Sequence, residues 1–237
     1  MRDDLTIVIP CKNEEKYIGQ TIMSIYYQRG IRKTRIVVAD GGSTDGTLKI
    51  LRDLKKNYDL NISIVKGGSV SMGRNSGASH AKTPYILFLD ADTTFTRRTA
   101  ILESLQEMKS RDLELLSSTP KYKGDFDPAA YLLFRINKIT TILLSKIDPF
   151  AVGCFTMVRK DTFEKIGGYD ETYMHTEDWM FSRKIDPSRF GLITDLITQD
   201  NRRFKRFGYL NMIKLILVNY INRNDPEHFR KDQSYWK

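Results

Sequence analysis

Two carboxylates separated by one residue, Asp90 and Asp92, stand directly after the apolar run YILFL. At a strand end such a pair can grip a hard divalent cation together with phosphate oxygens, because Mg²⁺ and Mn²⁺ favour oxygen ligands and bind through one or two carboxylates plus substrate phosphates. Asp90-Ala91-Asp92 reads equally as a solvated turn, with Thr94 and Thr96 available to cap a following helix. Two more polar loops follow apolar runs: Pro10-Cys11-Lys12-Asn13-Glu14-Glu15, and Asp40-Gly41-Gly42-Ser43-Thr44-Asp45-Gly46-Thr47. Asp40 precedes two glycines that permit close backbone approach, and it can accept hydrogen bonds from a base or ribose, as acidic residues do in other doubly wound sheets. Asp45 needs only a capping role.

The stretch from Lys66 through Gly73-Arg74-Asn75 combines glycines, hydroxyls and a guanidinium at the entry to a helix, a composition able to hold a diphosphate. It has neither the Lys-Ser/Thr ending of a P-loop nor a GxGxxG. Later, Glu177-Asp178 follows Gly167-Gly168-Tyr169-Asp170-Glu171. Acids in a first helical turn suit the macrodipole; the chemical alternative is a general base for a hydroxyl that must lose a proton. His175 is a rival base or metal ligand, against the commoner structural role of a lone histidine.

The elements around these loops alternate. Residues 5–9, 35–39, 61–65, 85–89 and 113–117 read as strands, and 16–28, 45–57, 72–81 and 97–111 as helices. Leu48, Leu51 and Leu54 mark one face of the second helix. Continuous apolar strands between helices predict an α/β fold: a mostly parallel, doubly wound sheet covered on both faces, with ligands outside the carboxyl ends of its strands. The second half is less regular. A helical pattern runs from Asp125 to about Ile147, residues 155–159 read as a strand, 161–166 as a short helix, and another helix opens at Glu177. Beyond Asn201 a basic run (NRRFKRF) precedes an apolar helix over 209–221, and the tail 222–237 is polar, without expected structure.

At 237 residues with 41% hydrophobic content, the chain can bury one substantial core. Only Cys11 and Cys154 carry thiols, too few for a disulfide framework or a four-thiolate zinc site, and a reducing compartment fits. Residues 1–4 lack the pattern of a secretory leader, and no run reaches the roughly eighteen apolar residues of a membrane span. The expected location is therefore the cytoplasm, at the membrane surface if the basic, apolar helix docks there. The excess of 38 basic over 29 acidic residues, +9 net, suits an anionic surface, nucleic acid or phosphorylated substrates.

In order and spacing, Pro10-x-x-Asn13-Glu14, Asp40-Gly-Gly-Ser43-x-Asp45-Gly46-Thr47, Gly73-Arg74-Asn75-x-Gly77-Ala78, Asp90-Ala91-Asp92, Gly167-Gly168-Tyr169-Asp170-Glu171 and Glu177-Asp178 resemble the family 2 glycosyltransferases over residues 4–185. Arg202-Arg203-Phe204 is similar to a basic segment of smaller members. The resemblance implies a GT-A fold and inverting transfer of a sugar from a nucleotide-sugar (a UDP-, GDP- or dTDP-sugar) to a glycan or lipid-linked acceptor. It implies that Pro10, Asn13, Glu14 and Asp40 line the nucleoside site, that Arg74 approaches the base or diphosphate, and that the Asp90-Ala91-Asp92 motif meets the donor. Asp92 would bind Mn²⁺ or Mg²⁺, with Asp90 placing ribose or assisting through water. Asp178 would be the base, Glu177 would orient the acceptor or donor sugar, and Arg202 or Arg203 would clamp the diphosphate. The expected division is 1–120 for the nucleotide-sugar half, 121–200 for the acceptor half, and 201–237 for a basic, amphipathic helical extension ending in a polar tail. Residues 122–127 and 201–206 are expected lids. The competing readings are a polyprenyl-phosphate glycosyltransferase, a sugar-phosphate nucleotidyltransferase, which would carry a Gly-rich loop with Arg and Lys after strand one, and a basic nucleic-acid-binding module. The motif set favours transfer, with no nucleic acid expected.

Overall fold

The computed structural model describes residues 4–31 and 33–231. Strand β1 (Leu5–Cys11) is followed by α1 (Ile18–Tyr26), β2 (Arg35–Asp40), α2 (Thr47–Asn57), β3 (Ile62–Lys66), α3 (Val70–Ser79) and β4 (Tyr85–Leu89). Then come β5 (Thr94–Phe95), α4 (Ala100–Ser110), β6 (Leu115–Tyr122), α5 (Pro128–Leu144), β7 (Phe155–Arg159), α6 (Lys160–Lys165) and α7 (Glu177–Ser182). After a single 3₁₀ turn, β8 (Phe190–Gln199), α8 (Arg202–Phe207), α9 (Tyr209–Ile221) and α10 (Pro226–Arg230) complete the order.

The strands form one eight-stranded sheet in the order β3-β2-β1-β4-β7-β6-β8-β5. Its first four strands are parallel. β7 runs antiparallel to both β4 and β6, β6 and β8 are parallel, and β5 is antiparallel to β8. The apolar runs are continuous because both sheet faces are covered. Ile7 and Ile9 of β1 and Leu87 and Leu89 of β4 pack with Ile18, Ile22, Leu51 and Leu105. Val8, Ile86 and Phe88 face the other way, against Ala78, Phe163, Tyr169 and Phe181. Alternation along each strand thus feeds two cores.

Helix α3 lies unusually close to β1: a Cβ on Gly77 would collide with Val8, and one on Gly73 would stand 3.1 Å from the Pro10 Cβ. The Gly73-x-x-x-Gly77 spacing serves as a smooth helix face that lets α3 pack close against β1 and Arg74 reach beneath the strand ends.

Two expectations change, and one strand appears that the sequence reading does not contain. The long strand β8 has no clean period-two signature, because Asp195 adopts φ 60° and the β6–β8 register shifts between Thr119 and Pro120; the bulge interrupts the alternation. The tail is not structureless from Asn222: Asp225 caps α10 by accepting from the Glu227 N–H at 3.0 Å, and Phe229 is fully buried. Residues 232–237 of that tail, and 1–3 of the opening segment, lie outside the described residues. His175 is not in the acidic cluster; it is buried, with its ring 5.7 Å from that of His228 and 5.5 Å from Phe229, where α10 packs. Both cysteines are buried free thiols.

Candidate functional site

The polar loops meet at the carboxyl ends of β1, β2 and β4. Because β1 and β2 are in parallel register with Cys11 opposite Asp40, the loops leaving them run side by side. They are stitched by local hydrogen bonds. Asn13, at φ 55°, donates its N–H to Ser43 Oγ at 2.9 Å and accepts from Thr44 N–H at 2.8 Å, and the Glu14 N–H donates to Thr47 Oγ1 at 2.8 Å. Asp40 accepts from the N–H groups of Gly42 and Ser43 at 3.1 and 3.2 Å. Asp45 accepts from Thr47 N–H at 3.0 Å, the capping role open to it in the sequence. Burial, and then Glu14, Asp40 and Asp45, push the Cys11 thiol up to about 12, so these acids surround one point of the first strand end.

The antiparallel β7 supplies the second half of the cluster. Leu89 pairs with Phe155, so Gly153-Cys154, entering β7, stands beside Asp90, leaving β4. The Gly153 N–H donates to Asp178 Oδ2 at 2.6 Å, and its carbonyl accepts from Arg74 Nη2 at 3.1 Å. Arg74, only 2% exposed, donates through Nη1 to Glu177 Oε1 at 2.7 Å and through Nη2 to Asp90 Oδ1 at 3.2 Å, with its guanidinium 5.0 Å from the Tyr169 ring centre. Burial opposes its charge, but Tyr169, Glu177, Asp90 and Asp178 hold the guanidinium above its already high value. Arg74 therefore lies under the cluster as a strut between the β4 acid and the α7 acid. A buried Arg shared by two carboxylates fixes their spacing, because its donors form a rigid planar fork.

Asp178 opens α7 next to Glu177. Its two oxygens accept one backbone N–H each, from Gly153 at 2.6 Å and from Trp179 at 2.9 Å, which leaves lone pairs on both. Burial, and then the Glu177 charge, push this carboxyl up to about 7, against the opposing pull of Arg74 and the two N–H groups. Burial followed by Asp90, Asp92 and Asp178 also raises the Cys154 thiol well above its ordinary value, so the acids of β4 and α7 face one centre.

From the other side, α8 closes on the cluster. Arg202 makes a forked pair with Glu14 at 3.0 and 2.9 Å and donates to Asp92 Oδ2 at 2.6 Å, while stacking 4.2 Å over the Tyr17 ring. Arg203 Nη2 stands 4.0 Å from Asp90 Oδ2. Burial and then Asp90 push the Asp92 carboxyl up, against Arg203 and Arg202; burial likewise raises Glu14 against Arg202. The second Asp92 oxygen, Oδ1, is buried without a hydrogen-bond partner. A buried, orphaned carboxylate oxygen calls for a cation, so the Asp90/Asp92 pair fits a divalent ion. Among the described residues no group of three or more His, Cys, Asp or Glu could hold a metal. An ion here would complete its shell from a phosphate-bearing ligand or water, the habit of Mg²⁺ and Mn²⁺.

The structure thus brings Arg74, Asp90, Glu177 and, through Gly153, Asp178 into one hydrogen-bonded cluster, and Glu14, Asp92 and Arg202 into a second beside it, with Asn13 and Asp40 on the adjoining loops and Pro10 against α3. The two expected lids touch each other, Asn201 Nδ2 donating to Asp127 Oδ2 at 2.7 Å. Two participants escape sequence reasoning: Gly153 and Tyr17. Neither sits in a motif, and only the β4–β7 pairing and the placement of α8 reveal them. A Cβ on Gly153 would lie 2.8 Å from both Arg74 Nη2 and Asp178 Oδ2. Gly153→Ala is expected to fold with a loss of about 1–3 kcal/mol from overpacking, and to lower turnover at least about tenfold because an ångström-scale displacement of positioned groups is costly. Denaturation midpoints and kcat check both, and an unchanged kcat would show that this contact is slack.

The profile described as Glycosyl transferase family 2 matches residues 6–167. The 4,4'-diaponeurosporenoate glycosyltransferase of Staphylococcus aureus (strain USA300) is 29% identical over 185 residues, which cover 72% of this chain and 48% of that protein. The chain therefore spans about half the length of the curated relatives it matches. Among solved structures, the mannosyltransferase PcManGT from Pyrobaculum calidifontis, in complex with GDP-Man and Mn²⁺, superposes with a TM-score of 0.68 at 20% identity, over 92% of this chain and 65% of that one. S. aureus TarS 1–349 in complex with UDP-GlcNAc gives 0.63 at 18% identity, over 91% and 67%. At these identities the superpositions show the fold, a GT-A arrangement.

Proposed function

Since the chain belongs to glycosyl transferase family 2, we propose that it transfers a sugar from a nucleoside-diphosphate sugar to an acceptor hydroxyl, with inversion, in one metal-assisted displacement. The observation that carries this reading is the convergence of Asp90, at the end of β4, and the α7 acids on one centre through Arg74 and Gly153, with Asp92 two residues on from Asp90. A displacement needs charge stabilisation at the leaving diphosphate and a base at the incoming hydroxyl, on opposite faces of the sugar. Two separated acidic groups, one with an orphaned oxygen and one with a raised affinity for protons, answer those two needs.

In this reading Pro10, Asn13, Glu14 and Asp40 border the nucleoside, and Asp92 with Asp90 would hold Mn²⁺ or Mg²⁺. When bound, such an ion supplies Lewis-acid stabilisation of the negative charge growing on the leaving group. Arg202, now on Glu14 and Asp92, is the cationic side chain placed to exchange a carboxylate for diphosphate oxygens. Glu177 orients the sugar-bearing end, and Asp178 takes the hydroxyl proton on a carboxylate oxygen as the C–O bond forms. Arg74 acts by positioning, holding Asp90 and Glu177 at fixed separation rather than touching donor. The contact between 201–206 and 122–127 is suited to keeping water from the sugar. Residues 1–120 would form the donor half, 121–200 the acceptor half, and 201–237 the extension. The complexes of PcManGT with GDP-Man and Mn²⁺ and of TarS with UDP-GlcNAc support a nucleotide-sugar donor and a divalent ion, and the diaponeurosporenoate glycosyltransferase supports a lipid-like acceptor.

The test is a thermal-shift screen of nucleoside diphosphates and nucleotide-sugars, with and without Mn²⁺ or Mg²⁺. A ligand at about a hundred times its Kd stabilises the fold by about 2.7 kcal/mol. Asp92→Ala is expected to abolish the metal-dependent part of that shift. A shift from no nucleotide, or one that persists undiminished in Asp92→Ala, contradicts the assignment.

A further inference from the structure

Two helices carry apolar stripes that the core leaves uncovered. On α5, Leu132, Ile136, Ile139 and Leu143 are 49–60% exposed, on the side opposite the buried Ala130, Phe134 and Thr141. On α9, Leu210, Ile213, Leu217, Tyr220 and Ile221 are 39–82% exposed, while the buried positions are Met212 and Asn219. The N-terminal ends of the two helices are tied together. Asp127, which caps α5, accepts from the Tyr209 hydroxyl at 2.5 Å, and the Phe204 ring lies between those of Phe134 and Tyr209, at 5.5 and 6.2 Å. Rows of exposed apolar side chains on two helices joined at one end are the kind of surface that marks an interaction site.

Charge selects the partner. Residues 128–147 contain three basic side chains and residues 201–223 contain six, with no Asp or Glu in either segment, although the whole chain has 29 acidic residues. Some of these cations are already paired, Lys138 with Asp195 and Arg202 with Glu14 and Asp92, but an apolar stripe flanked by Lys and Arg in segments free of acids is the composition of a helix lying in an anionic lipid interface. A second copy of the chain would bring two basic faces together, at a cost in like-charge repulsion. Among the described residues no helix is long and apolar enough to cross a membrane.

We infer that α5 and α9 form a docking surface for an anionic lipid bilayer, on which they lie without spanning it. The surface continues through α8, whose Arg202 reaches Glu14 and Asp92. The docking stands independently of the catalytic reading; resting on that reading, the bilayer would also present the acceptor to the site.

The experiment is co-sedimentation of the full chain with phosphatidylcholine vesicles, with and without phosphatidylglycerol, at low and high salt. Binding is expected to the anionic vesicles alone, and to weaken as salt screens it. The pair Ile139→Glu and Leu217→Glu, both on exposed positions outside the acidic cluster, is expected to weaken binding about tenfold or more. The same pair should leave the melting temperature and the nucleotide-induced thermal shift unchanged, which separates failure of docking from failure of the glycosyltransferase reading. Absence of binding to anionic vesicles at low salt overturns the inference. So does undiminished binding by the double variant, or a dimer in light scattering that the double variant disperses while vesicles are ignored.

Discussion

Asp178→Asn is expected to lower kcat by about 10²–10⁴-fold, the usual contribution of a positioned general base, while donor-induced thermal stabilisation stays at the wild-type level. The amide keeps an oxygen for one of the backbone N–H groups of Gly153 and Trp179 but has no acid–base capacity at neutral pH. The pH profile gives a second readout. Since burial and Glu177 push the Asp178 carboxyl up to about 7, it is protonated and idle as a base below that value and ionised above it. Wild-type kcat/KM should therefore rise as pH passes through about 7 and level off above, and Asp178→Asn should lose that limb. Stability runs the opposite way. A carboxyl whose folded value exceeds its unfolded one favours the fold at low pH and loses that contribution as pH rises through the folded value. At pH 8 the variant should therefore be more stable than wild type, on the order of 1 kcal/mol, the familiar exchange of stability for a charged site. Equal losses of donor binding and turnover, or a wild-type pH limb in the variant, would remove Asp178 from the base role.

Arg74→Met is expected to be the most destabilising single change in the cluster, by about 3–5 kcal/mol, because it strands buried carboxylates that share one cation. Asp90 and Glu177 have side-chain exposures of 15% and 7%, so water can replace little of what the guanidinium supplies. Arg74→Lys retains charge but not the fork, and cannot serve Glu177, Asp90 and the Gly153 carbonyl together. It should fold with a smaller deficit and show a kcat loss larger than its change in KM, since donor contacts are intact while the α7 acids lose their registration to β4. Urea denaturation and steady-state kinetics on both variants check this. A Lys variant with wild-type kcat would reduce Arg74 to a purely structural ion pair.

How far the sequence reaches can be judged on particular residues. The four parallel strands, the loops at their carboxyl ends and helix α9 are legible because each depends on neighbours a few positions away: apolar runs, glycines, capping side chains. Asp90 and Asp92 stand out for the same reason. Strand β8 does not, since its bulge at Asp195 breaks the alternation on which strand recognition depends. Arg74 is visible as a conspicuous cation, but its partners, Asp90, Glu177 and the Gly153 carbonyl, are not.

By itself, then, the amino-acid order determines an α/β chain whose chemistry lies at strand ends, with two acidic groups far apart along it. Only the tertiary structure decides that these groups share one site. That decision turns on β7 running antiparallel, which sets Gly153 beside Asp90, and on contacts such as Arg74 to Glu177 and Glu14 to Arg202, separated by 103 and 188 positions. A local pattern states what a side chain can bind. Which carboxylate it meets is set by packing of the whole sheet and its helices, where the cost of burying an unpaired charge selects the partner.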